Sequence, residues 1–213
     1  MSTGKKIFIF VLFLILIGFG IYEMKKNYSP LPTTPVDIDT LPPITGENSP
    51  SVETFSGSGF TFIYNKEIIA KDYNETSSWR TNTQTPGIFH VGVLIPKSFQ
   101  PNTNFSNAKF TVGSSTDAQA LKECLIPTNG ERAKGETTIN DVVFKKITLS
   151  EGAAGNYYDT TSYRTIRNNT CYAVEYTIHS TNLRNYDPGS VGEFDTQAVV
   201  QTLESMVQSF KFN

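Results

Sequence analysis

Charge is scarce in this chain of 213 residues: Asp, Glu, Lys and Arg make up 18% of it, against roughly 25% in an average soluble protein. The formal balance is −2 and the pI about 5.7. The basic surface that nucleic-acid binding requires is missing, and nucleic acid is not expected as a partner. There are two His, two Cys and one Trp. Cys124, Cys171, His90 and His179 lack any close ligand spacing, so neither a metal nor another cofactor is expected. Gly-x-Ser-x-Gly, phosphate-loop and His-x-x-x-His patterns are absent, which leaves no familiar catalytic motif. Only one long apolar run occurs, and that excludes a polytopic membrane protein. In place of charge the chain carries 18 Ser, 26 Thr and 16 Asn. Its 15 Phe and 10 Tyr are too many for a disordered polymer.

The apolar run sits at the N-terminus. Lys5 and Lys6 precede it, residues 7–22 are apolar, and Lys25 and Lys26 close it. As a helix this segment reaches ~24 Å, a little short of the ~30 Å hydrocarbon core, and Tyr22 and the flanking lysines can snorkel across the difference. Two readings are open, an uncleaved signal anchor over residues 1–26 and a cleaved signal peptide. No Ala-x-Ala site and no nearby Cys is present, which favours the anchor. The membrane is thus an expected partner through the N-terminal helix, with the bulk of the chain extracytoplasmic. Residues 27–213 hold 14 basic and 19 acidic side chains, so the exported part is acidic.

Residues 27–59 read as a linker. Six prolines (Pro30, Pro32, Pro35, Pro42, Pro43 and Pro50) alternate with Thr and Ser. Proline fixes φ and removes backbone donors, so the stretch is a poor recruit for sheet or helix. Ser56-Gly57-Ser58-Gly59 closes it as a flexible joint. Residues 60–213 then form one domain of ordinary size. Residues 60–64 alternate at period two, residues 88–95 form a second strand stopped by Pro96, and residues 109–113 a third. A helix follows, capped near Ser115 or Thr116, with Ala118, Leu121, Cys124 and Leu125 on one face. A meander comes next over residues 142–149, 157–167 and 171–180, with a tight turn at Asn168-Asn169. In its last strand Tyr172, Val174, Tyr176 and Ile178 share one face. Cys171, Ala173, Glu175, Thr177 and His179 share the other. A C-terminal helix starts at Asp195 or Thr196, with Val199, Val200, Leu203, Met206, Val207 and Phe210 at helical spacing. The expected class is α+β, an antiparallel sheet with helices packed on it.

Four residues and one pair are singled out. Cys124 and Cys171 are expected to form a disulfide in an exported chain. Closing a loop of this length is worth roughly 4 kcal/mol in the chain-entropy model. Glu175 and His179 share a strand face and give a carboxylate–imidazole arrangement or a plain surface pair. Tyr73 and Trp79 lie in the polar loop 71–86, where they either stack on a sugar ring or a partner, or fold back onto the domain.

The opening Phe60-x-Phe62-x-Tyr64 and the closing Leu203 to Asn213 stretch, with Ser209-Phe210-Lys211-Phe212, resemble the PsbP-like superfamily. That group includes the extrinsic photosystem subunit, Mog proteins and LpqN-type lipoproteins. The resemblance implies an α/β/α sandwich and a non-catalytic assembly or binding factor, and it carries over no binding residue by position. The expected function is a membrane-tethered binding or assembly module for an unknown envelope protein or polymer. The alternative is a hydrolase-like envelope enzyme using Glu175 and His179. The topology has a direct check. A reporter fused after Phe212 should report from outside the cytoplasm, and a cytoplasmic signal contradicts both the anchor and the signal-peptide readings.

Overall fold

Two aromatic-rich strands and one apolar helix stripe set the architecture, because each has to bury one face against another element. The computed structural model describes residues 51–67 and 78–213. The expected anchor (residues 1–26), most of the linker and Tyr73 lie outside the described residues. Nine strands occur within them: β1 (Val52–Gly57), β2 (Phe60–Asn65), β3 (Ile88–Ile95), β4 (Phe105–Ser115), β5 (Arg132–Ile139), β6 (Val142–Ala153), β7 (Asn156–Arg167), β8 (Thr170–Thr181) and β9 (Lys211–Phe212). The α-helices among the described residues are α1 (Ala118–Glu123) and α2 (Thr196–Ser209). One sheet has the order β1-β2-β9 and the other β3-β4-β8-β7-β6-β5. All named strand pairs are antiparallel.

The fold is therefore mostly β, not the α+β, PsbP-like α/β/α sandwich that the sequence suggested. Two antiparallel sheets replace the expected single sheet with helical layers. The physical reason is that α1, at six residues, is too short to make a layer. The helix α2 shares its side of the large sheet with β2 instead of covering that side alone. The linker expectation also changes at its end. Val52–Gly57 pairs with β2 in full register, from Val52 opposite Asn65 to Gly57 opposite Phe60. Ser58 and Gly59 both have positive φ, 50° and 81°. They make a two-residue hairpin turn of the kind that suits strand twist, in place of a flexible joint.

The core lies between the two sheets. Phe60, Phe62 and Tyr64 alternate inward from β2 to meet Phe110 and Val112 of β4, Val174, Tyr176 and Ile178 of β8, and Val199, Leu203, Met206 and Val207 of α2. Phe62 and Phe110 pack with ring centroids 4.8 Å apart. Asp195 caps α2 by accepting from the Ala198 amide, as an N-cap carboxylate does. A polar clamp adds direction. Glu204 of α2 accepts from Lys146 Nζ at 3.0 Å, Tyr163 OH at 2.6 Å and Tyr176 OH at 2.8 Å, one donor from each of three adjacent strands. Of the helix stripe, Val200 is only half-buried, whereas Leu203 and Val207 are fully enclosed. Leu203→Ala should cost about 2–5 kcal/mol through lost contacts and a cavity. Denaturant unfolding checks it, and an unchanged midpoint contradicts the packing of α2 described here.

Candidate functional site

The face of the large sheet opposite the core is set by register. Asn107, His179, Tyr158 and Glu151 lie side by side on β4, β8, β7 and β6. The next row holds Lys109, Thr177 and Thr160, and the next Thr111, Glu175 and Ser162. A fourth row holds Gly113, Ala173 and Arg164. This face has two halves. At the Cys171 end it is covered, and at the His179 end it is open.

The covered half is built around Trp79, which is 3% exposed and packs with Ala120, Cys124, Cys171 and Ala173. Its Nε1–H donates to the Thr85 carbonyl at 3.0 Å. Trp79 is thus a core residue and presents no stacking face to solvent. Its approach dictates glycine at 113, where a Cβ would come within 1.9 Å of the Trp79 carbonyl oxygen. Cys124 and Cys171 are bonded, with Cα atoms 5.8 Å apart, and tie α1 to β8 as the sequence suggested. Asp117 caps α1 by accepting from the amides of Gln119 and Ala120. The cap stands one residue beyond the Thr116 expected, because the carboxylate reaches both free amides.

Under this cover lies a charge network. Arg164 donates Nη1 to Glu131 Oε2 at 3.1 Å and Nη2 to Glu131 Oε1. The two side chains are 1% and 2% exposed. Arg164 Nε donates to Ser162 Oγ at 2.8 Å, and Thr128 contributes its amide and hydroxyl to Glu131 Oε2. Burial alone would raise the Glu131 pKa. The Arg164 and Thr128 hydrogen bonds and the charges of Arg164 and Arg80 outweigh it and hold the carboxyl below its ordinary value. Arg80 is 1% exposed, with its guanidinium carbon 5.4 Å from the Trp79 ring centroid. Its Nε and Nη1 have no hydrogen-bond partner among the described residues.

The open half forms a cleft of about 430 Å³ floored by the first two rows with Thr111 and Glu175 of the third, and edged by Ser78, Thr81, Asn82 and Phe89. Both Glu175 and His179 line it, yet they do not meet. Four residues along a strand separate them by ~14 Å. His179 Nε2 is 2.8 Å from Asn156 Oδ1, and its ring stacks on Tyr158 at 4.4 Å and 16°. Burial, and then the nearby Lys109 charge, lower its pKa. Glu175 is 2% exposed. Its Oε2 accepts the Thr81 amide at 2.7 Å, and Arg164 Nη2 stands 3.9 Å from Oε1. That Oε1 accepts no hydrogen bond among the described residues. The other histidine, His90, has Nε2 2.8 Å from Ser114 Oγ and an edge contact with Phe60, away from the cleft lining. No three His, Cys, Asp or Glu side chains of the described residues gather as metal ligands.

Sequence reasoning missed Tyr158, Asn107, Lys109, Thr160 and Glu151 as cleft residues. Alternation along β7 does put Tyr158, Thr160, Ser162 and Arg164 on one face, but only the register with β8 sets that face beside His179.

Neither a protein-family model nor a curated protein matches the chain. A solved structure from Bacteroides thetaiotaomicron aligns at 11% identity with a TM-score of 0.30, over 76% of this chain and 42% of that one. The chain thus spans less than half of that protein's length, and a likeness at this score carries no argument about fold or function.

The charge network makes acid stability a readout. Glu131 titrates lower in the folded than in the unfolded chain. Its contribution is therefore full above the ordinary value of 4.5 and is lost as pH falls through the depressed native value. Unfolding midpoints measured from about pH 6 to pH 3 should decline. Glu131→Gln should remove part of that decline while costing about 3–5 kcal/mol at neutral pH, since it leaves Arg164 buried without its counter-charge. A midpoint in Glu131→Gln equal to that of the native chain contradicts the network.

Proposed function

We propose that this chain is a membrane-tethered extracytoplasmic binding module. Residues 1–26 anchor it, the Pro-rich stretch spaces it from the bilayer, and the cleft of the large sheet holds an envelope polymer or protein without catalysing a reaction. The observation that carries this reading is the cleft floor itself. It is an array of hydroxyl, amide, carboxylate and ammonium groups on the four inner strands of a six-stranded sheet, beside a half locked by a disulfide and a buried ion pair. Such a surface is preorganised for hydrogen bonding and loses little entropy on binding.

The hydrolase alternative requires three polar groups converging within hydrogen-bond reach. Glu175 Oε2 is committed to the Thr81 amide and His179 to Asn156 and Tyr158, and ~14 Å of strand separates the two, so they do not converge on one reacting atom. The anchor is supported by the apolar run of residues 7–22. Among the described residues no helix is long and apolar enough to cross a membrane.

The test is sedimentation of the full chain, in detergent micelles, with envelope fragments from the cells that make it. Native chain should sediment with them. Thr177→Arg, which projects a long side chain across the floor, should stay in solution while still unfolding cooperatively, at a melting temperature lowered by the loss of the Thr160 hydrogen bond. Equal sedimentation of the two contradicts the cleft as the binding surface.

A further inference from the structure

We infer that the ligand of this cleft is an uncharged oligosaccharide of two or three rings, seated with one sugar on Tyr158 and another over Glu175. The inference rests on the binding reading above and names its ligand class.

Three observations converge. Tyr158 is 38% exposed, and its other face is backed by His179 in parallel stacking at 4.4 Å. A tyrosine ring held in one orientation with a wet face is a platform for the apolar face of a pyranose. Glu175 supplies the second. Its side chain is 2% exposed and lines the cleft, and its Oε1, enclosed and 3.9 Å from Arg164 Nη2, lacks a hydrogen-bond donor among the described residues. A buried acceptor of that kind is costly unless a donor reaches it, and a sugar hydroxyl both donates to a carboxylate and accepts from neighbouring amides. The rest of the floor gives the third. Asn107 and Thr111 offer short polar groups, and the Thr177 hydroxyl, paired with the buried Thr160 hydroxyl at 2.8 Å, keeps a lone pair for a further donor, which suits the mixed donors and acceptors of vicinal hydroxyls.

Charge and dimension select among polar ligands. The lining holds Lys109 against Glu151 and Glu175, and Arg164 stands 3.9 Å from Glu175. The site is thus close to neutral and offers no cationic cradle for a phosphate or sulfate. The platform and the buried acceptor are ~14 Å apart along β8, too far for one ring to touch both. A volume of about 430 Å³ has room for a short oligomer. Peptides fit less well, because the floor is made of side chains of the four inner strands, with only Phe89 of the edge strand β3 at the rim, whereas strand addition uses the backbone of an edge.

The experiment is calorimetric titration of the full chain, in a detergent without a sugar headgroup, with cellotriose, maltotriose and the trimer of N-acetylglucosamine. Glucose and N-acetylglucosamine serve as single-ring probes. At least one trimer should bind saturably and about tenfold or more tighter than its monomer. Tyr158→Ala should weaken that trimer by about tenfold, which is ~1.4 kcal/mol. Asn107→Ala, which lies outside the buried ion network, should weaken it as well. Both variants should stay cooperatively folded, Tyr158→Ala losing only its stacking contact with His179. Heat from no trimer, or equal affinity for trimer and monomer, overturns the inference. If no trimer binds while Thr177→Arg still abolishes envelope sedimentation, the saccharide assignment is wrong and the binding reading stands. If sedimentation is also unaffected by Thr177→Arg, both fall.

Discussion

Strand β8 is paired along its length, to β4 on one side and β7 on the other. A slip of one residue against either neighbour would exchange its two faces. Val174, Tyr176 and Ile178 would leave the core, and Glu175, Thr177 and His179 would enter it. The cost of burying that second set without partners fixes the register, and the register in turn fixes the cleft. The candidate site is the reverse side of the same alternation that builds the core. The disulfide at Cys171 and the clamp of Glu204 on Tyr163 and Tyr176 hold the strand from opposite faces.

The polar face has to be handled differently at its two ends. Toward Cys171, arginine and glutamate side chains are buried as balanced charges under Trp79 and α1. Removing one partner there is more damaging than the pair is stabilising. Toward His179 the described residues leave the face part-open, with Tyr158 exposed and Asn107, Thr177 and His179 part-exposed. Glu175 stands at the boundary, with one oxygen satisfied by the Thr81 amide and the other facing Arg164 at the limit of an ion pair. That position makes it a structural carboxylate on one side and an enclosed acceptor without a hydrogen bond on the other.

Much of the domain is legible in the sequence, and the failures share a cause. Residues 88–95 are legible as an apolar run closed by Pro96, the last meander strand by its alternation and α2 by its helical spacing, although the middles of β7 and β8 are buried on both faces. The same alternation places Glu175, Thr177 and His179 on one face of β8. The strands β1 and β5 leave little trace. Both are edge strands: β5 is exposed over most of its length, and β1 alternates in burial but turns Glu53, Phe55 and Gly57 inward, so only one inward position is apolar and no hydrophobic alternation marks it. Losing those two strands from the reading tips the class from mostly β to α+β. The cleft shows a second limit. Tyr158 and His179 are 21 positions apart in the chain, and nothing local records that they stack. Trp79, the lone tryptophan in a polar loop, looks available in sequence and is buried because Gly113 leaves room for its backbone.

The central claim is that the open rows of the large sheet, and no other surface of the domain, meet the ligand. The most direct measurement is an NMR titration of the full chain in micelles with a soluble digest of envelope polysaccharide, following side-chain resonances of Tyr158, His179, Asn107 and Thr177. The account predicts saturable shifts concentrated on those four residues, with Val52 and Ile63 of the small sheet unmoved. Shifts confined to the small sheet, or spread evenly over the surface, would contradict it.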